Sequence, residues 1–334
     1  MKNSHKIAVV GDGAMGTVCA IILARKGYDV RLWGAFPDNI RRMNDSRENH
    51  TYLPGFPLPK QLLAGTEAKD LLSGAHIVVS AVPCQYMRNV WEQLADCLNE
   101  ETALVSVTKG VEIETLKRPC EILAELTGAD RKLAVLSGPT IAGELAAGLP
   151  ATAVVASDSP QLAQLSQDMF TTESFRVYTN ADLIGVELAG ASKNVIALAA
   201  GIIDGLGMGD NAKAALLTRG LVEITRLGLA MGAREETFAG LAGLGDLVTT
   251  CISPQGRNRS VGEQIGKGRD LKDILHGMSA VAEGVTTTES LMALAKRHHI
   301  DMPITAKVQA VLFQGQSPQQ AISELMSRAP KPER

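Results

Sequence analysis

A chain of 334 residues, 45% hydrophobic and 21% charged, has length for two domains and the composition of an ordinary water-facing globular protein. Its formal net charge of −3 gives no reason to expect nucleic acid or an anionic membrane surface as partner. No apolar run reads as long as a membrane span, since the longest, around Val195 to Ile203, ends at Asp204.

The N-terminus, MKNSHK, runs straight into a strand-like IAVV and then Gly11-Asp12, so no signal-peptide apolar core is expected. Five cysteines (Cys19, Cys84, Cys97, Cys120, Cys251) form no C-x-x-C pair, which fits reduced thiols in the cytoplasm. The histidines make no ligand pair, His298-His299 reading as a solvated helix end, and no metal is expected.

The first half alternates β-rich runs with helical periodicity. Strands are expected at 7–10, 29–33, 76–82, 103–108, 132–138, 151–157 and 175–179, with helices at 86–98, 115–126 and 160–170. Ser159 is the expected N-cap of the last, with Pro160 in its first turn. Such alternation implies βαβ units and a largely parallel, doubly wound sheet. From about Asp182 the strand signal disappears. Helices are expected at 182–205 and 211–231, then a Gly-rich passage, then shorter helices near 270–276, 286–299 and 303–313, and a loose tail at 330–334. The domain boundary is therefore placed at 184/185, giving an α/β domain over 1–184 and a helical domain over 185–334.

The IAVV strand is followed at once by G-D-G-A-M-G, then by a helix ending near Gly27 and a second strand, DVRLW. In that context the glycines read as a dinucleotide fingerprint. Gly11 permits the tight turn, Gly13 lets backbone approach a pyrophosphate, and Gly16 allows close helix–strand packing. The phosphates would lie against free N–H groups at the helix start. A glycine turn with no ligand is the bland alternative. After the second strand there is no acid to hold a ribose hydroxyl, while Arg41-Arg42 could reach a 2′-phosphate, so NAD and NADP both stay open.

Further along, Thr108-Lys109-Gly110 and Ser137-Gly138-Pro139-Thr140 each follow a strand, where ligands gather in open α/β sheets. Lys193 stands mid-helix in a stripe of small or apolar residues (Val186, Ala189, Gly190, Ala197 and Ala200). Snorkelling accounts for a lysine near a helix end; a mid-helix lysine among small residues fits a partly desolvated ammonium beside a cavity, suited to acid–base chemistry. The passage GLAGLGDLVTTC and the following SPQGRNRSVG contribute Asp246, Arg257 and Asn258, the last two a fork of donors for a phosphate. Singly, each has a plainer reading: Lys109 a solvated strand end, Asp246 a helix cap, Arg257 and Arg259 surface charge.

Taken in order, GDGAMG, VTKGVE, LSGPT, ELAGASKNVIALAAGI, DNAKAALLTRG, GLAGLGDLVTTC and GRNR resemble the bacterial-type NAD(P)-dependent glycerol-3-phosphate dehydrogenases, over residues 7 to about 285. The resemblance implies an N-terminal Rossmann domain and an all-α C-terminal domain of the phosphogluconate-dehydrogenase-like type. It also implies a cytoplasmic enzyme, homodimeric, with NAD or NADP as cofactor and dihydroxyacetone phosphate and sn-glycerol 3-phosphate as substrates, supplying phospholipid synthesis. Carried over residue by residue, it makes Lys193 the proton-transferring lysine and gives Lys109 to substrate and cofactor together. Gly138, Thr140, Asp246, Gly256, Arg257 and Asn258 would contact substrate. Gly11, Gly13, Ala14, Met15, Gly16, Ala35, Ala142, Arg257, Val281 and Glu283 would contact the cofactor. Three positions depart from the family pattern: Ala14-Met15 replaces a Ser-aromatic pair, Ala35 a basic residue, and Gly256 a serine. Two rivals stand beside this reading: a related dehydrogenase acting on a carboxylate, and a dinucleotide-binding redox sensor without catalysis.

Overall fold

The computed structural model describes residues 5–278, 281–330 and 332. They form two compact units, one of residues up to Glu112 with Lys117–Glu187, the other of Ile113–Leu116 with Leu188 onward. The division thus falls inside a helix, a little beyond the 184/185 position read from the sequence.

The first unit begins with β1 (Lys6–Val10), α1 (Ala14–Arg25), β2 (Asp29–Trp33) and α2 (Pro37–Ser46). A small hairpin, β3 (Glu48–Asn49) and β4 (Leu53–Pro57), precedes β5 (Leu63–Gly65), α3 (Ala68–Leu72), β6 (Ile77–Ser80) and α4 (Cys84–Leu94). Then follow β7 (Ala103–Ser106), α5 (Pro119–Thr127), β8 (Leu133–Ser137), α6 (Ala142–Ala146), β9 (Ala151–Ser157), α7 (Pro160–Phe170) and β10 (Phe175–Asn180). The eight-stranded sheet has the order β10-β9-β8-β7-β6-β1-β2-β5. Every pairing in it is parallel except β8 with β9. Side-chain alternation sends Ile7, Val9, Val79 and Val105 to one core and Ala8, Val10, Val78 and Leu104 to another, so both faces are covered, as a doubly wound sheet requires.

Departures from the sequence reading have local causes. Leu116 takes a left-handed conformation (φ 61°), so α5 cannot start at 115 and begins at Pro119, where the Glu121 carboxylate accepts the Arg118 N–H at 2.8 Å and pairs with its guanidinium at 3.1 Å. The hairpin and β5 were not foreseen, because Pro54, Gly55 and Pro57 break any alternating pattern. By contrast, the Ser159 hydroxyl caps α7 by accepting from the Leu162 N–H, as expected.

The last strand leads into α8 (Leu183–Gly205). The second unit continues with α9 (Gly209–Ala230), α10 (Glu235–Ala239), a π-helical turn (Leu241–Gly245), α11 (Asp246–Ile252) and α12 (Arg257–Gly266). It ends with α13 (Leu271–His276), α14 (Glu283–Arg297), α15 (Pro303–Phe313) and α16 (Pro318–Met326). The Gly-rich passage is therefore largely helical, and its glycines serve close contact: a Cβ on Gly243 would lie 2.0 Å from the Phe238 carbonyl oxygen. Of the expected tail at 330–334, only residues 330 and 332 fall within the described residues. One sequence expectation needs correction. At 23 residues and mean hydropathy 1.4, α8 is long and apolar enough to cross a membrane, but 94% of that window is buried inside the protein, as suits a core helix.

The buried Glu223 on α9 caps α15 from a distance. Its carboxyl accepts the Ile304 and Thr305 N–H groups at 2.8 Å each and the Thr305 hydroxyl at 2.7 Å. No side chain of α15's own N-cap residue, Met302, does this. Replacing Glu223 by Gln sets an NH₂ against an N–H donor, and chemical denaturation should show a loss of about 1–3 kcal/mol, the cost of an unsatisfied buried donor.

Candidate active site

In the first unit the glycine loop has the geometry a pyrophosphate needs. A Cβ on Gly16 would lie 1.9 Å from the Gly11 carbonyl oxygen, and one on Gly11 (φ 114°) 2.8 Å from that of Ala81, whereas at Gly13 it would meet nothing within 4 Å. The turn is therefore packed at Gly11 and Gly16 and open at Gly13. Gly13 is the N-cap of α1, with no side-chain cap and no acid in the first turn, so the helix start suits an anion. Ala14 and Met15 open the helix and pack against the sheet core. These residues fit a dinucleotide. At the other end of α1 the C-cap is Lys26, and Gly27 follows with φ 90°.

Polar groups missed in the sequence hold this loop from beneath. Asn39 donates to the Asp12 carboxyl at 2.7 Å and accepts from the Thr51 hydroxyl at 2.8 Å. Asn49 donates to the Asp12 carbonyl at 2.7 Å and to the Thr17 hydroxyl at 2.8 Å. Burial pushes the Asp12 carboxyl above its ordinary range, with the Asn39 amide working against that rise. The hairpin thus exists to bring Asn49 and Thr51 under the fingerprint.

Ala35 is exposed just past β2. Of the two arginines considered for a 2′-phosphate, Arg41 is bound to Asp38 at 2.6 Å on the surface, while Arg42 lines a shallow cavity of about 290 Å³ with Phe36, Thr51 and Tyr52.

At the carboxyl ends of β7 and β8 the structure brings three expected residues together. The Lys109 ammonium donates to the Gly138 carbonyl at 3.0 Å, and the Thr140 hydroxyl donates to the same oxygen at 3.1 Å. Gly138 has φ 138°, and a Cβ there would lie 2.9 Å from the Ala153 Cα, so the strand end admits only glycine without displacement. Ala142 starts α6, which packs against α1.

In the second unit Lys193 is buried, 6% exposed, and donates to the Asp246 carboxylate at 2.7 Å and to the Thr250 hydroxyl. The ammonium does not snorkel to water; it is held inside by α11. Asp246 opens that helix without capping it. Thr250 was missed in the sequence, although its place one turn after Asp246 puts both side chains on one face.

Arg257 and Asn258 form the start of α12. The Arg257 guanidinium donates to the Val281 carbonyl at 2.9 Å. Asn258 is buried, and its carbonyl oxygen accepts the Gly284 N–H at 3.0 Å, next to Glu283, the first residue of α14. That bond fixes the amide orientation and makes the NH₂ the outward donor. Gly256 is the N-cap of α12, and a Cβ there would lie 2.9 Å from the Thr250 carbonyl oxygen, a steric reason for glycine at this position. Arg259 corrects the sequence reading: it is no loose surface charge but pairs with Asp204 at 2.7 Å, both side chains 16% exposed.

A doubly wound sheet with a dinucleotide loop in one unit, and a buried ammonium in a helical second unit, define the class: a dinucleotide-dependent dehydrogenase. Comparison with known proteins gives the family. The family descriptions "NAD-dependent glycerol-3-phosphate dehydrogenase N-terminus" and "C-terminus" match residues 6–163 and 182–323. The chain is 48% identical over 332 residues to the glycerol-3-phosphate dehydrogenase [NAD(P)+] of Citrifermentans bemidjiense, covering 99% of each. It is likewise 48% identical to that of Streptomyces griseus, over the full length of both. The crystal structure of glycerol-3-phosphate dehydrogenase from Coxiella burnetii superimposes with a TM-score of 0.94 at 40% identity, over 97% of this chain and 99% of that one. The chain belongs to the NAD-dependent glycerol-3-phosphate dehydrogenase family.

Cys251, next to Thr250, reports how dry the wall around Lys193 is. Burial pushes its thiol up to about 12, against the pull of the Lys193 charge. At pH 8 only roughly one such thiol in 10⁴ would be ionised. Iodoacetamide at pH 8 should therefore label the half-buried Cys97 and spare Cys251 in the native protein, read by peptide mass spectrometry; equal labelling would mean that water reaches this wall.

Proposed function

We propose that this chain catalyses the reversible reduction of dihydroxyacetone phosphate to sn-glycerol 3-phosphate with NADH or NADPH. The observation that carries the reading is the Lys193 ammonium, buried and bonded to Asp246 and Thr250, on the helical unit that also presents Arg257 and Asn258. Family membership and the names of the relatives support it.

When bound, NAD(P)H would supply the hydride that the ketone carbon accepts, being oxidised to NAD(P)⁺. As the carbonyl π bond opens onto oxygen, Lys193 donates a proton to that oxygen, so one C–H and one O–H bond form. Asp246 and Thr250 hold the ammonium in place. Lys109 adds positive charge near the developing alkoxide, beside the Gly138 and Thr140 contacts to substrate. Arg257 and the Asn258 amide bind the phosphate, so its binding energy positions the ketone. The Gly256 N-cap lends backbone to that end. On the cofactor side, Gly11, Gly13, Ala14, Met15 and Gly16 cradle the pyrophosphate, Ala35 borders the ribose, and Ala142, Val281 and Glu283 complete the contacts. The physiological setting we assign is cytoplasmic supply of glycerol 3-phosphate to phospholipid synthesis by a homodimer, on the family likeness.

An assay of dihydroxyacetone phosphate with NADH and NADPH side by side tests the reading directly. In it, Lys193→Ala should lower kcat by ~10²–10⁴ while nucleotide binding, followed by fluorescence, survives; a loss below about tenfold would make the lysine structural. Arg257→Ala should act on KM instead. The preference for dihydroxyacetone phosphate over phosphate-free dihydroxyacetone should fall on the order of 10²-fold, and an unchanged preference would place the phosphate elsewhere.

A further inference from the structure

Two helices of the second unit meet backbone to backbone. On α8, a Cβ at Gly201 would lie 2.0 Å from the Arg259 carbonyl oxygen, and one at Gly205 2.3 Å from that of Glu263. On α12, a Cβ at Gly262 would lie 2.0 Å from the Leu198 carbonyl oxygen, and one at Gly266 2.6 Å from that of Ile202. Each helix thus offers a Gly-x-x-x-Gly face to the other, with no side chain between them to yield. Later residues of α8 meet later residues of α12, so the helices run in the same direction. The start of α12, carrying Arg257 and Asn258, therefore lies toward the Lys193 end of α8. Gly284 confirms that level: a Cβ on it would lie 2.7 Å from the Asn194 carbonyl oxygen and 2.9 Å from the Asn258 amide oxygen.

An ion pair pins the same contact. The Arg259 guanidinium donates to Asp204, which also receives Lys213 from α9, so one carboxylate ties α12 to α8 and α9. Lys193 and Asn258 are thereby separated by backbone contacts and one half-buried ion pair, and packed backbone does not deform continuously.

We propose that this seat of α12 on α8 is a ruler for substrate length, with Gly201, Gly262 and Arg259 as positioning residues that restrict the enzyme to a phosphate one carbon from the reacting carbonyl. The proposal rests on the reduction assigned above. Moving α12 outward separates the phosphate clamp from the proton donor, which penalises the three-carbon ketone and favours a homologue with one more methylene between carbonyl and phosphate.

The test compares dihydroxyacetone phosphate with 1-hydroxybutan-2-one 4-phosphate in the full-length enzyme. Gly201→Ala must push α12 out by roughly 1 Å, which should lower kcat/KM for dihydroxyacetone phosphate on the order of 10²-fold. The longer ketone should lose less or gain, so the preference between the two shrinks by at least about tenfold. Arg259→Met, which adds no bulk at the backbone contact, should shift the preference in the same direction, and Arg259→Lys should restore most of it. Nucleotide affinity should not move in any variant. If folded variants lose activity on both ketones by one common factor, the contact is merely structural and the ruler is overturned. A wild-type enzyme inert toward dihydroxyacetone phosphate would instead overturn the reaction assignment on which the ruler rests.

Discussion

A buried ammonium survives only where a carboxylate meets it, and the Lys193–Asp246 contact is the constraint around which the helical unit is arranged. Such a pair is a poor device for stability, since desolvating both charges offsets most of their attraction. Its presence in the middle of a core helix points to chemistry. The surroundings follow from it: Thr250 sits one turn beyond Asp246 to receive the same ammonium, and burial raises the neighbouring Cys251 thiol above its ordinary range.

Glycine solves two different problems in this chain. In the loop after β1 it makes room for a ligand, because the turn is packed at Gly11 and Gly16 but open at Gly13. In the helical unit it removes everything between two helices, so that Gly201 and Gly262 bring carbonyls within reach of the opposite backbone. The first use spends conformational freedom on access, the second on a fixed distance. Helix propensity argues against glycine inside α8 and α12, at about 1 kcal/mol each relative to alanine, so the close approach is what those positions retain.

Much of this was legible in the sequence. The sheet, the glycine loop and the long helices announce themselves by period and punctuation, and Lys193 stands out because a mid-helix charge among small residues needs a reason. What escaped notice depends on partners distant in the chain. Asn39, Asn49 and Thr51 look like exposed polar residues until α2 and the hairpin bring them under Asp12. Glu223 looks like an exposed helix acid until α15 arrives with unsatisfied N–H groups. The antiparallel β8–β9 pair is hidden for a different reason: strand composition does not encode direction.

Arg257 and Arg259 show where sequence reasoning reaches its limit. They are the same residue type, two positions apart on one helix, and composition treats them alike. Two residues on an α-helix are about 200° apart, so the side chains must leave in nearly opposite directions. Arg257 leaves toward the Val281 carbonyl, beside the start of α14, and Arg259 toward Asp204 on α8. Helical geometry alone therefore divides the pair into a group that can meet an anion and a group that holds the helix in place. The same periodicity that hid Arg259 in the sequence forbids the two arginines from exchanging roles.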